Sequence, residues 1–316
     1  MTAQPPAPPA ARPRGLRGRI HRADAKWSPY LFIAPFFLIF TAFGLFPLLY
    51  NGVVSLRTWQ LDSPDRDGWA GLENYRALLT DSDWWNALVN TVGMFLLSSV
   101  PQLVLALLLA GVLNRKLRFP TLMRMGVLLP YVTPIAASTL VFSAFFARDY
   151  GIANYLLSVV HVDPIDWRAD KWSSWVAIAT MVNWRWIGYN ALIYLAAMQS
   201  VPRDLYEAAS IDGAGPRRQF WSITVPMIRP TLLFTVVLST IGGMQLFTEP
   251  LLFDNNVSNA TGGSSGQFQT VAELIYKTGW IDLDLGYAAA MSWAVFMVII
   301  ILAGLNSWLT NRVGRR

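Results

Sequence analysis

The stretch "EAASIDGAGPRRQFWSITVP", residues 207–226, is a polar segment between two long apolar runs of a 316-residue chain. It carries two acids, two arginines and two glycines, although the whole chain is only 14% charged and 54% hydrophobic. Soluble domains are about 25% charged. The composition therefore predicts a membrane protein, and this segment is one of its polar connections.

Six apolar stretches are each long enough to cross a bilayer, whose hydrocarbon core needs about 20 helical residues. The sequence therefore predicts an all-α polytopic membrane protein with six transmembrane helices. The predicted spans are residues 30–55, 86–113, 121–146, 173–198, 231–253 and 286–309.

The chain before the first span is basic and rich in proline, with "QPPAPPAARPR" at residues 4–14. Such a composition lacks the apolar content to fold, so we expect residues 1–29 to form a disordered tail. The first apolar stretch has no small-residue cleavage site at its end. We therefore expect a retained helix and not a signal peptide.

Cysteine is absent and the two histidines, His21 and His161, are isolated in the sequence. Disulfides and thiolate metal sites are therefore excluded, and we predict no metal site. A membrane-embedded enzyme would need a cluster of acids, histidines or serines at membrane depth, and the sequence shows none. We predict no catalytic residues.

The distribution of lysine and arginine between the loops predicts the orientation of the chain. The two ends and the connections after the second and fourth stretches carry 17 of them, and the other connections carry 7. Basic loops face the cytoplasm, so both termini and residues 207–226 are predicted to be cytoplasmic. Basic residues could also bind anionic lipid or RNA, but topology explains them without such a partner, and we predict no nucleic-acid role.

The composition of residues 202–226 predicts two short helices joined by a sharp bend. A helix begins after Pro202, with Asp204 and Glu207 in its first turns, where the helix dipole favours acids. Gly213 and Gly215 end this helix, and a second helix then leads into the next apolar stretch.

Two interpretations of this helix pair remain open on composition alone. Small Ala208 and Ala209, with Asp212 along the same flank, allow another surface to come close, which favours docking against a partner protein. The alternative is an amphipathic linker at the membrane surface with no partner. The apolar face is thin and rich in alanine, so it would anchor poorly in a membrane.

The segment resembles the signature of the membrane-spanning subunits of ATP-binding-cassette importers. That signature has Glu-Ala-Ala, three residues, Gly, nine residues, Ile, one residue, Leu and Pro. Val225 stands where the family usually has leucine, which is an exchange between apolar residues. The matching residues are Glu207, Ala208, Ala209, Gly213, Ile223 and Pro226.

Other stretches are similar to the oligosaccharide-uptake branch of these permeases, the maltose and glycerol-phosphate type. They are "GLENYRALLTDSDWWNALVNT" from residue 71, "LLPYVTPIAASTLVF" from residue 128, "DYGIANYLL" from residue 149 and "LAAMQSVPRDLYEAASIDGA" from residue 195. The resemblance implies a permease domain over residues 30–316. It also implies that residues 202–226 form a coupling loop, whose helix sits in a cleft of a cytoplasmic ATPase.

The chain contains no phosphate-binding loop of the form Gly-x-x-x-x-Gly-Lys-Ser/Thr. We therefore expect no cofactor in this chain, with ATP and Mg bound by a partner. The resemblance implies two ATPase subunits, an extracytoplasmic solute-binding protein and a second permease subunit. In this branch the second permease is usually a different chain, so we expect a heterodimer in the lipid membrane.

Ionisable groups are expensive inside a membrane, so each one within an apolar stretch suggests a function. Arg185 lies near the middle of the fourth stretch, in "NWRWIGYN" at residues 183–190. It either donates hydrogen bonds along a solute pathway, or it is capped by carbonyls of a broken helix or paired with Glu249. The sequence leaves these alternatives open.

The fifth stretch contains "GGMQLFTEP" at residues 242–250, where adjacent glycines loosen the helix. Sugars are bound by aromatic faces, with amides or charges on their hydroxyls, and the helices before and after the coupling loop supply sugar contacts in this family. Aromatic residues and paired glycines also serve packing. The expected pathway residues are Asn183, Arg185, Trp186, Asn190, Gln245, Phe247 and Glu249.

The sequence thus predicts a permease of the cytoplasmic membrane that imports a di- or oligosaccharide. Two alternatives are the same transporter type with another solute, such as glycerol phosphate or a polyamine, and a membrane-embedded enzyme. An anion would need more buried positive charge than Arg185 supplies, and a polycation more intramembrane acid than Glu249 supplies.

Overall fold

The computed structural model describes residues 16–63, 65, 67–115, 117–254 and 260–314. The predicted tail lies outside the described residues as far as residue 15. From Leu16 onward the chain is helical, so the structure corrects the expected disorder of residues 16–29. Arginine and alanine are frequent in this part, and they are good helix formers.

The chain divides into two units, residues 1–53 and residues 54–316. Within its described part, the first unit is helical throughout: α1 (Leu16–Phe40), a π-helical turn (Thr41–Leu45) and α2 (Phe46–Val54), whose last residue begins the second unit. Residues 28–54 are long and apolar enough to cross a membrane, in agreement with the first predicted span.

The second unit contains the remaining helices and one small antiparallel hairpin, in which β1 (Arg57–Thr58) pairs with β2 (Gly68–Trp69). Each strand has only two residues and the rest of the regular structure is helical, so the all-α prediction is confirmed. The helices are α3 (Glu73–Thr80), α4 (Ser82–Leu113), α5 (Pro120–Val132), α6 (Ile135–Phe145), α7 (Ile152–Val159), α8 (Lys171–Gln199), α9 (Arg203–Ile211), α10 (Pro216–Gln219), α11 (Val225–Met227), α12 (Arg229–Met244), α13 (Thr248–Phe253), α14 (Val271–Tyr276) and α15 (Leu285–Gly314), with π-helical turns at Phe220–Thr224 and Lys277–Ile281.

Two of the predicted spans are not single helices. The third is bent by 87° between α5 and α6, because Pro134 cannot continue the hydrogen-bond ladder and holds Thr133 in an extended conformation. In the fifth, α12 ends at Met244 and the separate helix α13 begins at Thr248, two residues before Pro250. By contrast, α4 and α8 are continuous over 32 and 29 residues.

Helices α4 and α8 pack along each other and form the centre of the second unit. Small residues permit this close approach: Ala106 and Ala110 of α4 and Ala191 of α8 are fully buried, and the ring of Trp175 fills the space beside Gly93. Small residues at helix contacts are the usual device of membrane helices, since lipid supplies no hydrophobic drive between them.

The ends of α8 lie about 43 Å apart at 1.5 Å per residue. Aromatic side chains of other segments pack near its first turns, including Phe146, Phe253 and Phe268 around Trp175. Its last turn leads directly into α9. Between the two ends, the hydroxyl groups of Tyr194 and Thr235 are 2.6 Å apart and join α8 to α12. Loops and helices at opposite ends of α8 are therefore held in one packed unit.

Candidate functional site

Residues 202–226 form two short helical segments with a bend between them, as the sequence predicts. Helix α9 begins after Pro202 and carries Asp204 in its first turn. The chain then turns and forms α10, a π-helical turn and α11, before bending by 67° into α12. The second segment thus leads into the membrane helix at a steep angle.

Gly213 determines the bend. Its φ angle is +75°, a left-handed conformation that glycine adopts without strain. The amide of Ala214 donates to the carbonyl of Ala209 at 2.8 Å, and that of Gly213 to Ser210 at 3.1 Å. These two bonds are the Schellman arrangement that satisfies the last carbonyls of a helix.

Side-chain hydrogen bonds stiffen the two segments against each other. The amide nitrogen of Gln219 donates to the Ser210 hydroxyl and to the Ala214 carbonyl, both at 2.9 Å. The hydroxyl groups of Tyr206 and Thr224 are also 2.9 Å apart. The helix pair is therefore a preformed surface feature that does not depend on a partner for its shape.

The outward face of α9 combines charge with exposed apolar surface. Glu207 and Ala208 are exposed, and Ile211 is 87% exposed. These residues follow the i, i+1, i+4 spacing of one helix face, with Asp212 exposed directly after them. Sequence reasoning missed Ile211, which is the large apolar side chain exposed on this face. Of the other signature residues, Ala209 and Ile223 are half-buried and Pro226 is exposed.

A cavity of about 440 Å³ lies between α4, α5, α8 and α12. Its volume is within the range of about 300–1,000 Å³ that is usual for small-molecule sites. The structure brings six of the seven expected pathway residues to its wall: Arg185, Trp186, Asn190, Gln245, Phe247 and Glu249.

Helical phase explains why Asn183 is the exception. Residues 182, 185, 186, 189 and 190 line the cavity, which is the i, i+3, i+4, i+7, i+8 stripe of one face of α8. Asn183 lies beside this stripe, and its side-chain oxygen is buried without a hydrogen-bond partner in the described part of the chain.

Three aromatic rings form one wall of the cavity. The rings of Tyr131 and Tyr189 stack with centroids 4.5 Å apart, and Trp186 meets both edge-on at 5.2 and 5.6 Å. Such arrangements suit the quadrupoles of the rings. The result is a broad, preorganised apolar surface in the wall of the cavity.

The polar wall contains side chains that sequence reasoning missed. Ser98, Ser99 and Gln102 of α4 line the cavity together with Asn190 and Gln245. They are rare polar residues of an otherwise apolar helix, and this contrast was the signal available in the sequence. The cavity therefore presents hydroxyl and amide groups together with aromatic rings, a combination that can bind a polar molecule with an apolar face.

Arg185 contacts the break in the third apolar stretch. Its Nη1 atom donates to the carbonyl oxygen of Thr133 at 2.9 Å, and its Nε atom is buried without a partner in the described part of the chain. Among the described residues no ion pair joins Arg185 to Glu249. Arg185 thus bonds to a carbonyl at a broken helix and not to Glu249, and it also forms part of the cavity wall.

The two adjacent glycines of α12 have different surroundings. A Cβ atom on Gly243 would lie 2.5 Å from Phe95 of α4, whereas one on Gly242 would meet nothing within 4 Å. Gly243 thus permits close helix packing, and Gly242 faces open space in the cavity wall. Helix α12 continues through both glycines and ends directly after them, at Met244.

Two relatives resemble this chain over most of their length. The lactose transport system permease protein of Rhizobium radiobacter is 35% identical over 280 residues, which cover 88% of this chain and 92% of the relative. The arabinooligosaccharides transport system permease protein of Halalkalibacterium halodurans is 32% identical over 289 residues, covering 90% and 88%.

The fold is also that of a solved transporter. A chain of a bacterial ABC transporter involved in the import of the acidic polysaccharide alginate matches with a TM-score of 0.78 at 20% identity, covering 93% of this chain and 99% of that one. Residues 77–315 match the family described as binding-protein-dependent transport system inner membrane component. This protein therefore belongs to the family of inner-membrane components of binding-protein-dependent transport systems.

Proposed function

We propose that this chain is the permease subunit of an ATP-driven importer whose cargo is a di- or oligosaccharide. The observation that carries the cargo class is the cavity beside α8, which the rings of Tyr131, Trp186 and Tyr189 line together with amide and hydroxyl groups. Sugar rings present apolar faces to aromatic side chains and hydroxyl groups to amides. The named cargo of the two sequence relatives, lactose and arabinooligosaccharides, supports the same class.

The charges of the cavity argue against the other solutes. One guanidinium, Arg185, and one carboxylate, Glu249, line it among the described residues. Arg185 is a single positive charge, and its Nη1 atom is already engaged with the Thr133 carbonyl, which is little for the binding of an anion. A single buried carboxylate is also too little for a polyamine.

The partners belong to the same proposal. The family description supports delivery by a solute-binding protein. The exposed face of α9, with Glu207, Ala208 and Ile211, is proposed to dock in a cleft of an ATPase subunit, which binds ATP and Mg. We propose two such ATPases and a second, different permease chain, with both termini of this chain in the cytoplasm.

The test is uptake by cells that express the complete transporter. We expect uptake of labelled lactose or an arabino-oligosaccharide, and no uptake of sn-glycerol 3-phosphate or spermidine. Trp186→Ala should lower sugar uptake at least tenfold, about 1.4 kcal/mol, because it removes the central ring of the cavity. Trp172→Ala is the matched control, since Trp172 is 69% exposed at the start of the same helix and does not line the cavity.

Uptake of glycerol phosphate or spermidine without any sugar would contradict the proposed cargo. Equal sugar uptake by the two tryptophan variants would contradict the assignment of the cavity.

A further inference from the structure

A second cavity, of about 670 Å³, lies at the N-terminal end of α8. It is therefore at the opposite end of this helix from the coupling loop. Three segments form its wall: residues 146–150 at the end of α6, residues 166–169 before α8, and residues 254 and 261–268 after α13.

The charged side chains of this second cavity have both signs. Arg148 and Asp166 form an ion pair at 3.6 Å, and Arg168 lines the same wall. Asp254 accepts hydrogen bonds from Thr261 and from the amide of Gly263, at 3.2 and 2.9 Å. Mixed and partly paired charges favour neither an anion nor a cation. No group of three side chains suited to a metal ion was found in the described part of the chain.

A neutral polyhydroxyl compound fits these groups best. Its hydroxyls donate to carboxylates and accept from guanidinium and amide groups, so one ligand satisfies both kinds of partner. Asp149 adds an exposed acceptor to the wall, whereas the buried amide of Gln267 is already bonded to Ser265 and to the Arg168 carbonyl. Tyr150, at the same wall, is 82% exposed, which leaves its ring free to stack on the apolar face of a sugar.

Helix α13 lies between the second cavity and the first. Thr248 and Glu249, at its N-terminal end, line the first cavity, and Asp254, directly after its C-terminal end, lines the second. Five residues of helix correspond to about 7.5 Å between Glu249 and Asp254. A single short helix therefore separates the two cavities.

Arg168 holds the C-terminal end of this helix. Its Nε atom donates to the carbonyl oxygen of Phe253 at 2.7 Å, and its guanidinium lies 4.8 Å from the centre of the fully buried Phe253 ring. A cation at a helix C-terminus is electrostatically favourable. Arg168 is thus both a wall residue of the second cavity and the cap of the separating helix.

We propose that the second cavity is a sugar-binding site, which takes a glycosyl unit of the solute before it moves past α13 into the first cavity. The inference rests on the proposed function, because it assumes that the cargo is a sugar. It adds a site that the sequence did not predict, with Asp149 and Tyr150 as accessible ligand contacts.

The experiment compares two double variants in cells with the complete transporter. Asp149→Asn with Tyr150→Ala removes one charge and one ring from the second cavity, and both side chains are exposed, so the fold is preserved. Asp163→Asn with Tyr155→Ala is the matched control, because these residues are also exposed in the same connection but do not line the cavity. The readouts are the KM for lactose or arabino-oligosaccharide uptake and the capture of the sugar-free solute-binding protein by the purified transporter.

We expect the first double variant to raise the KM about tenfold with unchanged capture of the binding protein, and the control to stay within twofold of the unmodified protein. Equal KM values for the two double variants would overturn the inference. Weaker capture of the sugar-free binding protein would also overturn it, since the cavity would then be a protein docking surface.

Failure of the proposed function has a different signature. If Trp186→Ala abolishes sugar uptake while the second-cavity variant has no effect, the proposed function stands and the inference falls. If the unmodified transporter takes up none of the sugars, both fall.

Discussion

The guanidinium of Arg185 in α8 donates a hydrogen bond to the carbonyl oxygen of Thr133, at 2.9 Å, across the gap to the break between α5 and α6. Thr133 follows the last residue of α5. The first backbone hydrogen bond of α6 runs from the amide of Ser138 to the carbonyl oxygen of Pro134. The Thr133 carbonyl therefore has no partner of its own within either helix. Helix α8 thus supplies the missing hydrogen-bond donor at the bend between α5 and α6.

Replacement of Arg185 by methionine should destabilise the bend. The change leaves the Thr133 carbonyl without a donor, at a cost of about 1–3 kcal/mol. We expect a lower midpoint of thermal unfolding for the purified transporter and a loss of sugar uptake. Arg185→Lys should retain part of the thermal stability and part of the sugar uptake, because lysine keeps a donor but lacks the planar guanidinium. An unchanged midpoint in the methionine variant would show that the bend does not need this bond.

Gly213→Pro should separate the permease from its proposed ATPase partner. Proline fixes φ near −65°, whereas Gly213 has φ +75°, and the change also removes the amide that bonds to Ser210. We expect loss of ATPase co-purification and of uptake, with a normal amount of permease in the membrane. Gly215→Ala is the control, because Gly215 has φ −68° and open space around it. Retained association in the proline variant would make the segment a simple linker.

Gly188→Ala should disrupt the packing of α8 against α5. A Cβ atom on Gly188 would collide with the backbone carbonyl of Val127, which cannot move as a side chain does. Overpacking of this kind costs about 1–3 kcal/mol, so we expect a lower unfolding midpoint and a lower yield of folded protein. Gly126→Ala, on the facing helix, meets nothing within 4 Å and should have no effect. Equal midpoints for the two variants would contradict this packing.

Glu273→Gln should reduce the dependence of stability on pH. Glu273 is fully buried between spans, where its carboxylate accepts from the Thr270 amide at 2.8 Å, and burial raises its pKa to about 8. The folded protein then binds more protons than the unfolded chain between about pH 4.5 and 8, so stability falls as the pH rises through this window. The slope is on the order of 1 kcal/mol per pH unit for this group.

Glutamine has no such proton to lose and still offers an oxygen to Thr270. We expect the unfolding midpoint of the unmodified protein to fall more between pH 6 and pH 8 than that of the glutamine variant. Parallel pH profiles of the two proteins would show that Glu273 is not the responsible group.

The residues that sequence reasoning located correctly are those whose chemistry contrasts with their neighbours. Arg185, Asn190 and Glu249 are polar groups within apolar stretches, and all three line the first cavity. Gly213 ends a polar helix where a left-handed conformation is needed, and its position sufficed to predict the bend.

What the sequence could not reveal depends on which surfaces meet in three dimensions. Gln102 becomes a cavity residue only because α4 packs on α8. Asp254 lines one cavity with Arg148 and Asp166 only through the tertiary arrangement of three distant segments. Pro134 permitted a break in the third stretch, but proline is also tolerated within spans, as Pro101 of α4 shows. Whether a proline bends a helix depends on whether neighbouring helices and side chains can bond to the backbone carbonyl that the proline leaves without a donor.

Helix α8 has no internal proline, in contrast to α4 with Pro101 and α5 with Pro130. A continuous helix has nearly fixed length and little bending freedom over 29 residues. Residues near its middle line the first cavity, and its first turn lies beside the second cavity. Any rigid tilt of α8 would therefore displace Lys171 and Gln199 together and change the surroundings of both cavities.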